Sequence, residues 1–458
     1  MRRAVLVAIG VFVVLGLLVS AIQFNASSSK PCWELNPNNP NWCPSPTPPP
    51  PTTTTTPPPT TTTTVPPTTT TTTPSPPECT GTQVVPGDSI QTAINNTPTG
   101  GTICFATGTH VMSGGVSTST KALTLDFRAG SDPDAIIDGN NGGFIGFNGP
   151  QDDTRVTYFG GVFQHFGNAA SPLYIQPLIV RPNDVVEGGE FKDNFNGGLT
   201  VQGSNAVVDV YTHHNGRYGI TAEACGGCSA PVGIIIEDSE IAFNNTAHYN
   251  PGGDAGGTKF SGGTDGMIVR NNIVHDNYGS GLWWDGFNTN AQVYGNTIYG
   301  NHWWGIFYEL SYGGTVVHDN VLTDNGWDTS ISGDTWFNTV QILVSCSDGT
   351  IGAIEIYNNT VDGTAKALGI INHAVHPIDT KNVYFHNNMV ILRSNGAKVG
   401  GNAFDGETWL WTSNNLFEDN DYRVLDLAAV HFRWNNTDLT WSQWQALGHD
   451  DTGSMTLL

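Results

Sequence analysis

The chain has 458 residues, with 17 Lys and Arg against 40 Asp and Glu, a formal net charge of −23 at pH 7 and only 12% charged residues. No basic cluster follows Arg2 and Arg3, and because phosphate neutralisation needs clustered Lys and Arg, nucleic acid is set aside as a partner. The acidity suits solubility outside a cell without naming a ligand.

In chain order, Arg2 and Arg3 precede an unbroken apolar run from Ala4 to Ile22, followed by small polar residues at Ala26 to Ser29. Residues 1–30 therefore read as an export segment: a cleaved signal peptide or, because the run is long for one, a retained single-span anchor. Residues 31–78 carry Cys32 and Cys43 and then almost pure Pro and Thr, as in PPPPTTTTTPPP. Such a stretch has nothing to bury and reads as a disordered spacer. Localisation is thus expected outside the cell, secreted or held at the surface. Residues 79–458 are long enough for a large core.

Seven cysteines fall into the local pairs Cys32/Cys43, Cys79/Cys104 and Cys225/Cys228, with Cys346 left over. In an exported chain such pairs read as disulfide staples. Cys225-Gly-Gly-Cys228 has no second CxxC and no thioredoxin-like pattern around it, so a loop staple is favoured over a redox or zinc site. Cys346, within VQILVSC, reads as a buried free thiol.

Internal repetition decides the architecture. NNIVHDN, GNTIYGN and DNVLTDN place Asn272, Asn296 and Asn320 at intervals of 24 residues, with degenerate copies DSEIAFN, NNTVDG and NNMVIL. A period in the low twenties with β-branched runs, Asn and Gly marks a parallel β-solenoid whose coils stack at about 4.8 Å. Asn suits this role because it tolerates a left-handed bend and its amide can bond the Asn above and below. Caps are expected at about 79–110 and 426–458, where GDSIQTAIN offers Asp88 and Gln91 as a capping box and LTWSQWQALG offers Thr440 and Gln443, with Gly448 as the stop.

The stretches GDSIQTAI, TICFATGTH, IAFNNTAHYNPGGDAGGTKF, TDGMIVRNNIVHDN, GLWWDG, GIFYELSYG and WSQWQALGHDDTGSM resemble the secreted right-handed parallel β-helix proteins of the pectin-lyase-like superfamily. The resemblance covers residues 79–458. It implies an all-β right-handed parallel β-helix with short capping helices, and polysaccharide work by lyases, glycoside hydrolases, uronate epimerases or depolymerases.

Strand residues alternate faces, which sorts the repeated Gly-apolar-aromatic-aromatic-acid runs beginning at Gly281 and Gly305. Leu282, Trp284, Ile306 and Tyr308 are expected inside; Trp283, Asp285, Phe307 and Glu309 outside. Aligning GTKFSG and GITAEA with these gives one outer column of Thr221, Lys259, Trp283 and Phe307, and a second of Glu223, Ser261, Asp285 and Glu309. Rings that stack on sugar faces and carboxylates that accept hydroxyl hydrogens make this a candidate glycan surface. Carboxylates on adjacent coils lie about 5 Å apart, and like charges so close push one pKa up. Lys259, nearer Asp285, leaves Asp285 as nucleophile or base and Glu309 as proton donor. The loop from Asn245 to Gly257 lengthens one coil by 9 residues and is expected to bring His248 and Tyr249 toward substrate. Gln341 and His373 are candidates to continue the outer columns, whereas His213, His214 and His275 read as structural, with no metal site.

Three functions compete. The first is an extracellular glycoside hydrolase needing no cofactor. The second is a lyase or uronate epimerase with Lys259 as base and Ca²⁺ held by Glu223, Asp285 and Glu309; only one Lys and no Arg in the columns count against it. The third is a non-catalytic carbohydrate-binding surface protein. A monomer is expected, acting on a polysaccharide partner, tethered to membrane or wall if the N-terminal segment is retained.

Overall fold

The computed structural model describes residues 79–458 apart from 119–120, 129–133, 150–153, 173–174, 224–231, 331–338, 373–377 and 404–412. The export segment, the spacer, Cys32, Cys43, Cys225, Cys228 and His373 lie outside the described residues.

Each coil is written in three short strands. Ile268–Arg270, Ile273–His275 and Leu282–Asp285 make one coil, and Gln292–Tyr294, Thr297–Tyr299 and Ile306–Glu309 make the next. Every strand pairs in parallel with its counterpart one coil on, which produces three sheets of 13 strands each among the described residues. One pairing departs from this: Phe432–Trp434 and Thr437–Leu439 close the end of one sheet as an antiparallel hairpin. Alternation along the strands sends Leu282, Trp284, Ile306 and Tyr308 into a continuous core running through all the coils. Stacked rings such as Phe163 with Phe191 and Phe385 with Phe417 repeat within it at 4.7 Å, the spacing of the strands that carry them.

Two asparagine ladders hold the bends. Asn272, Asn296, Asn320, Asn359, Asn388 and Asn420 are buried in line, and from Asn296 onward each carboxamide oxygen accepts from both the backbone N–H and the side-chain amide of the Asn before it, at 2.9–3.1 Å. Asp450 ends this ladder by accepting from Asn420. The second ladder runs through Asn194, Asn215, Asn244, Asn277, Asn301 and Asn325 to Gln341. Bend and ladder fall on neighbouring residues rather than on one. Asn271, Gly295 and Asp319 take the left-handed conformation, with φ of 56°, 67° and 52°, while the Asn that follows each turns inward. Gln341 therefore belongs to a ladder and does not continue an outer column; its carboxamide reaches Asn325 and the Asp362 carbonyl.

The strand-opening glycines have a steric origin. A Cβ on Gly281 would stand 2.7 Å from the Gly305 carbonyl and 2.9 Å from the Asn301 amide, and Gly257 and Gly305 are confined in the same way. The backbone passes too close to the ladder for any side chain.

Helix Ile90–Asn96 covers the first coils, but its N-cap is Ser89, whose hydroxyl accepts from Thr92 N. The expected Asp88/Gln91 box does not form. Asp88 accepts from Val85 N, and Gln91 is engaged in both directions by the backbone of Ser117 on the adjacent strand. At the far end, Thr440 and Gln443 do form a capping box on helix Trp441–Gln445, and Gly448 follows with φ 84°. Cys79 and Cys104 form a disulfide across the first coils, and Cys346 is buried outside any disulfide.

Candidate active site

Strand register builds the candidate site from six tetrapeptides on one sheet: LIVR, LTVQ, ITAE, TKFS, LWWD and IFYE. Ile179 pairs with Thr200, Thr200 with Thr221, Thr221 with Lys259, and Trp283 with Phe307. Ser261 pairs with Asp285, and Asp285 with Glu309. Thr221, Lys259, Trp283 and Phe307 thus share one outward column, and Glu223, Ser261, Asp285 and Glu309 the next. The hydroxyls of Thr200 and Thr221 bond at 2.9 Å, and the Gln202 amide donates to Glu223 at 3.4 Å.

Lys259 organises the centre of the patch. Its ammonium lies 2.9 Å from Asp285 Oδ2, donates to the Gly253 carbonyl at 2.6 Å and sits 4.0 Å from the centroid of the Trp283 ring. Gly253 belongs to the short helix Pro251–Asp254 on the inserted loop, so that loop holds the lysine head in place. One coil further on, Glu309 is only 8% exposed. Burial, then the neighbouring Asp285 charge, push its carboxyl up to about 8, against the opposing pull of Lys259 and of the Trp283 indole. The Trp283 Nε1–H completes no hydrogen bond but is close enough to favour the ionised form of Glu309.

Two expectations are corrected here, the open aromatic rings and the absence of arginine. Trp283 and Phe307 point away from the central core but present no ring face to solvent, because they pack with Trp303, Trp304, Val340, Leu343 and Ile371 into a second apolar cluster. The strong drive to remove large rings from water closes this part of the sheet, so neither ring serves as an open sugar platform. His248 is exposed on the inserted loop and stacks face to face on Tyr278 at 4.1 Å, in a row that continues through His302 to Trp327. Nor are the columns without arginine. Arg181 lies in the column of Glu223, donating to Gln202 and to Asn148, while its backbone N–H donates to the buried Asp184. The repeat of LIVR, LTVQ and ITAE at steps of 21 residues carried that signal. Arg217, whose guanidinium lies over Tyr218 and Tyr249, is also beside the patch, and both it and Lys259 act on the Tyr218 hydroxyl.

His213 pairs with Glu190 and His275 with Glu240 and Asp276, all on the sheet that contains Ile273–His275. Among the described residues no group of three or more His, Cys, Asp or Glu converges to hold a metal ion. Of the three carboxylates that the calcium reading would use, Asp285 is ion-paired with Lys259 and Glu309 is buried one coil further on.

What remains is a polar run of outward residues, Thr221, Glu223, Lys259, Ser261 and Asp285, with Glu309 one coil further on. A protonated carboxyl beside an ion-paired carboxylate is the arrangement general acid catalysis requires.

The model of the family described as a right-handed beta helix region matches residues 179–361. No curated protein sequence matches the chain at a significant level. Among solved structures, the A-module of a mannuronan C-5 epimerase from Azotobacter vinelandii is 15% identical with a TM-score of 0.44, over 64% of this chain and 77% of its own. A pectate lyase is 14% identical with a TM-score of 0.35, over 77% of this chain and 73% of that one. A family 28 exopolygalacturonase from Yersinia enterocolitica is 13% identical with a TM-score of 0.33, over 73% and 68%. At such identities and scores neither substrate nor reaction carries across. Three parallel sheets wound through successive coils make the chain a parallel β-helix, and residues 179–361 at its centre match the right-handed beta helix region.

Proposed function

We propose that this β-helix is an extracellular polysaccharide-degrading enzyme, a glycoside hydrolase in which Glu309 gives the leaving oxygen its proton and Asp285 acts as nucleophile or base. The observation that carries the reading is the pairing of two in-register carboxyl groups in unlike surroundings: Glu309 buried with its pKa raised, Asp285 fixed by Lys259. Lys259 is committed to Asp285, Gly253 and Trp283, which counts against its serving as the free base of a lyase. The apolar leader, the Pro/Thr spacer and the Cys79–Cys104 disulfide support export.

Arg181 favours one second reading, in which an anionic polymer is held by Arg181 and Lys259 and cleaved by elimination. Digestion of a panel of neutral and uronate glycans, followed by mass analysis, separates the two. Hydrolysis adds the mass of water to the cleaved products; elimination leaves an unsaturated, ultraviolet-absorbing end. Glu309→Gln and Asp285→Asn are each expected to lower turnover by at least 100-fold while leaving the fold intact. Full activity in both would remove the proposed pair.

A further inference from the structure

Trp283 sits between the two carboxyl groups in a way that its burial alone does not require. One face of its ring carries the Lys259 ammonium at 4.0 Å, and the same ammonium is ion-paired to Asp285 at 2.9 Å. Phe307, in register on the next coil, stacks with Trp283 at 5.6 Å, and Trp304 packs against both. The backbone N–H of Trp283 donates to the buried Thr258 hydroxyl at 3.1 Å, which pins the strand at that residue. Its indole N–H, fully buried and without an acceptor in hydrogen-bond geometry, lies beside the Glu309 carboxyl. A buried N–H with no partner is costly unless something it can reach becomes negative.

We infer that Trp283 is a positioning residue that joins the two halves of the site, its ring seating Lys259 on Asp285 and its indole N–H standing ready to receive the negative charge left on Glu309 when that group gives up its proton. This rests on the reading of Glu309 and Asp285 as the reacting pair. The charged groups acting on Glu309 are Asp285 and Lys259; the coil on its other side brings the uncharged Ser345 into register. Of these, only Lys259 and Trp283 favour the ionised form, and they touch one another. Losing the indole N–H therefore makes the proton harder to give and harder to remove by raising pH.

The test is a carbon-detected magnetic resonance titration of the full chain labelled at glutamate, with Glu309 assigned through Glu309→Gln. Trp283→Phe keeps an aromatic ring and is expected to move the Glu309 midpoint upward by about one pH unit, the size of a hydrogen bond to a charged group. Lys259→Met is expected to move it in the same direction. In the unaltered protein the Trp283 indole N–H resonance should follow the same midpoint as Glu309, and this readout needs no variant to fold. A flat indole resonance, or a Trp283→Phe protein with lowered stability and an unmoved midpoint, would show a packing role only. If the midpoint moves while Glu309→Gln keeps full turnover on its glycan, the positioning stands and the catalytic assignment falls.

Discussion

Glu309 is an acid whose proton is held by its surroundings, and this has a consequence for stability that needs no substrate. Its ordinary pKa is 4.5 and burial raises it to about 8 in the fold, so between those values the native state binds a proton that the unfolded chain has released. Glu309's contribution to stability is therefore fully present below about pH 4.5 and is lost as pH rises through 8. Glu309→Gln removes this dependence, and denaturant midpoints measured across that window should fall less with pH in the variant than in the parent. Activity should show the same residue from the other side, declining as pH rises through about 8 as the donor ionises. His449 acts in the opposite sense near the C-terminal cap. Buried against Trp434 and Trp444, its imidazole is depressed to about 4, so acid below its ordinary 6.5 weakens that cap progressively.

Among elements, the ladders carry more than the strands beside them. Asn296 donates to Asn320, to the Val269 carbonyl and to the Tyr294 carbonyl, and accepts from Asn272 twice. Asn296→Ala leaves buried groups on both neighbouring coils unpaired and is expected to cost at least about 3 kcal/mol in chemical unfolding, whereas Gly295→Ala, at a surface bend with φ 67°, should cost about 1–2 kcal/mol. This contrast also explains what the sequence made legible. The interval of 24 residues exposed the ladder and hence the coil, and alternation then sorted Trp284 from Trp283 correctly. Alternation says only that a residue leaves the central core. It could not say that Trp303 and Trp304, contributed by a turn, would cover Trp283 and Phe307, because that cover depends on packing between segments with no periodic relation. Arg181 was missed for the opposite reason: its coil repeats at 21 residues, and a search tuned to 24 passes over it. Gln91 shows a third limit, since a favourable local cap lost to a long-range bond with Ser117.

At the scale of the whole molecule, each coil touches chiefly its neighbours, so stability is built from successive interfaces rather than one shared centre. The Cys79–Cys104 disulfide closes 25 residues at one end and should matter there alone. Replacing both cysteines by Ser is expected to lower the stability of the first coils by about 3 kcal/mol. Hydrogen exchange should show faster amides across Thr82–Phe105 and unchanged protection across Leu282–Glu309; uniform loss along the chain would mean that the coils unfold as one unit.

From coil to coil the second asparagine ladder joins residues separated by 21, 29, 33, 24 and 24 positions, yet its side-chain bonds stay within 2.8–3.0 Å. The rise from coil to coil is therefore independent of how much chain each coil contains. Segments such as Asn245–Gly257 can grow, shrink or be exchanged without the core being solved again, and it is such a segment that holds Lys259. Evolution, or an engineer, can retune what the Asp285–Glu309 patch meets by swapping one loop on an unchanged rack.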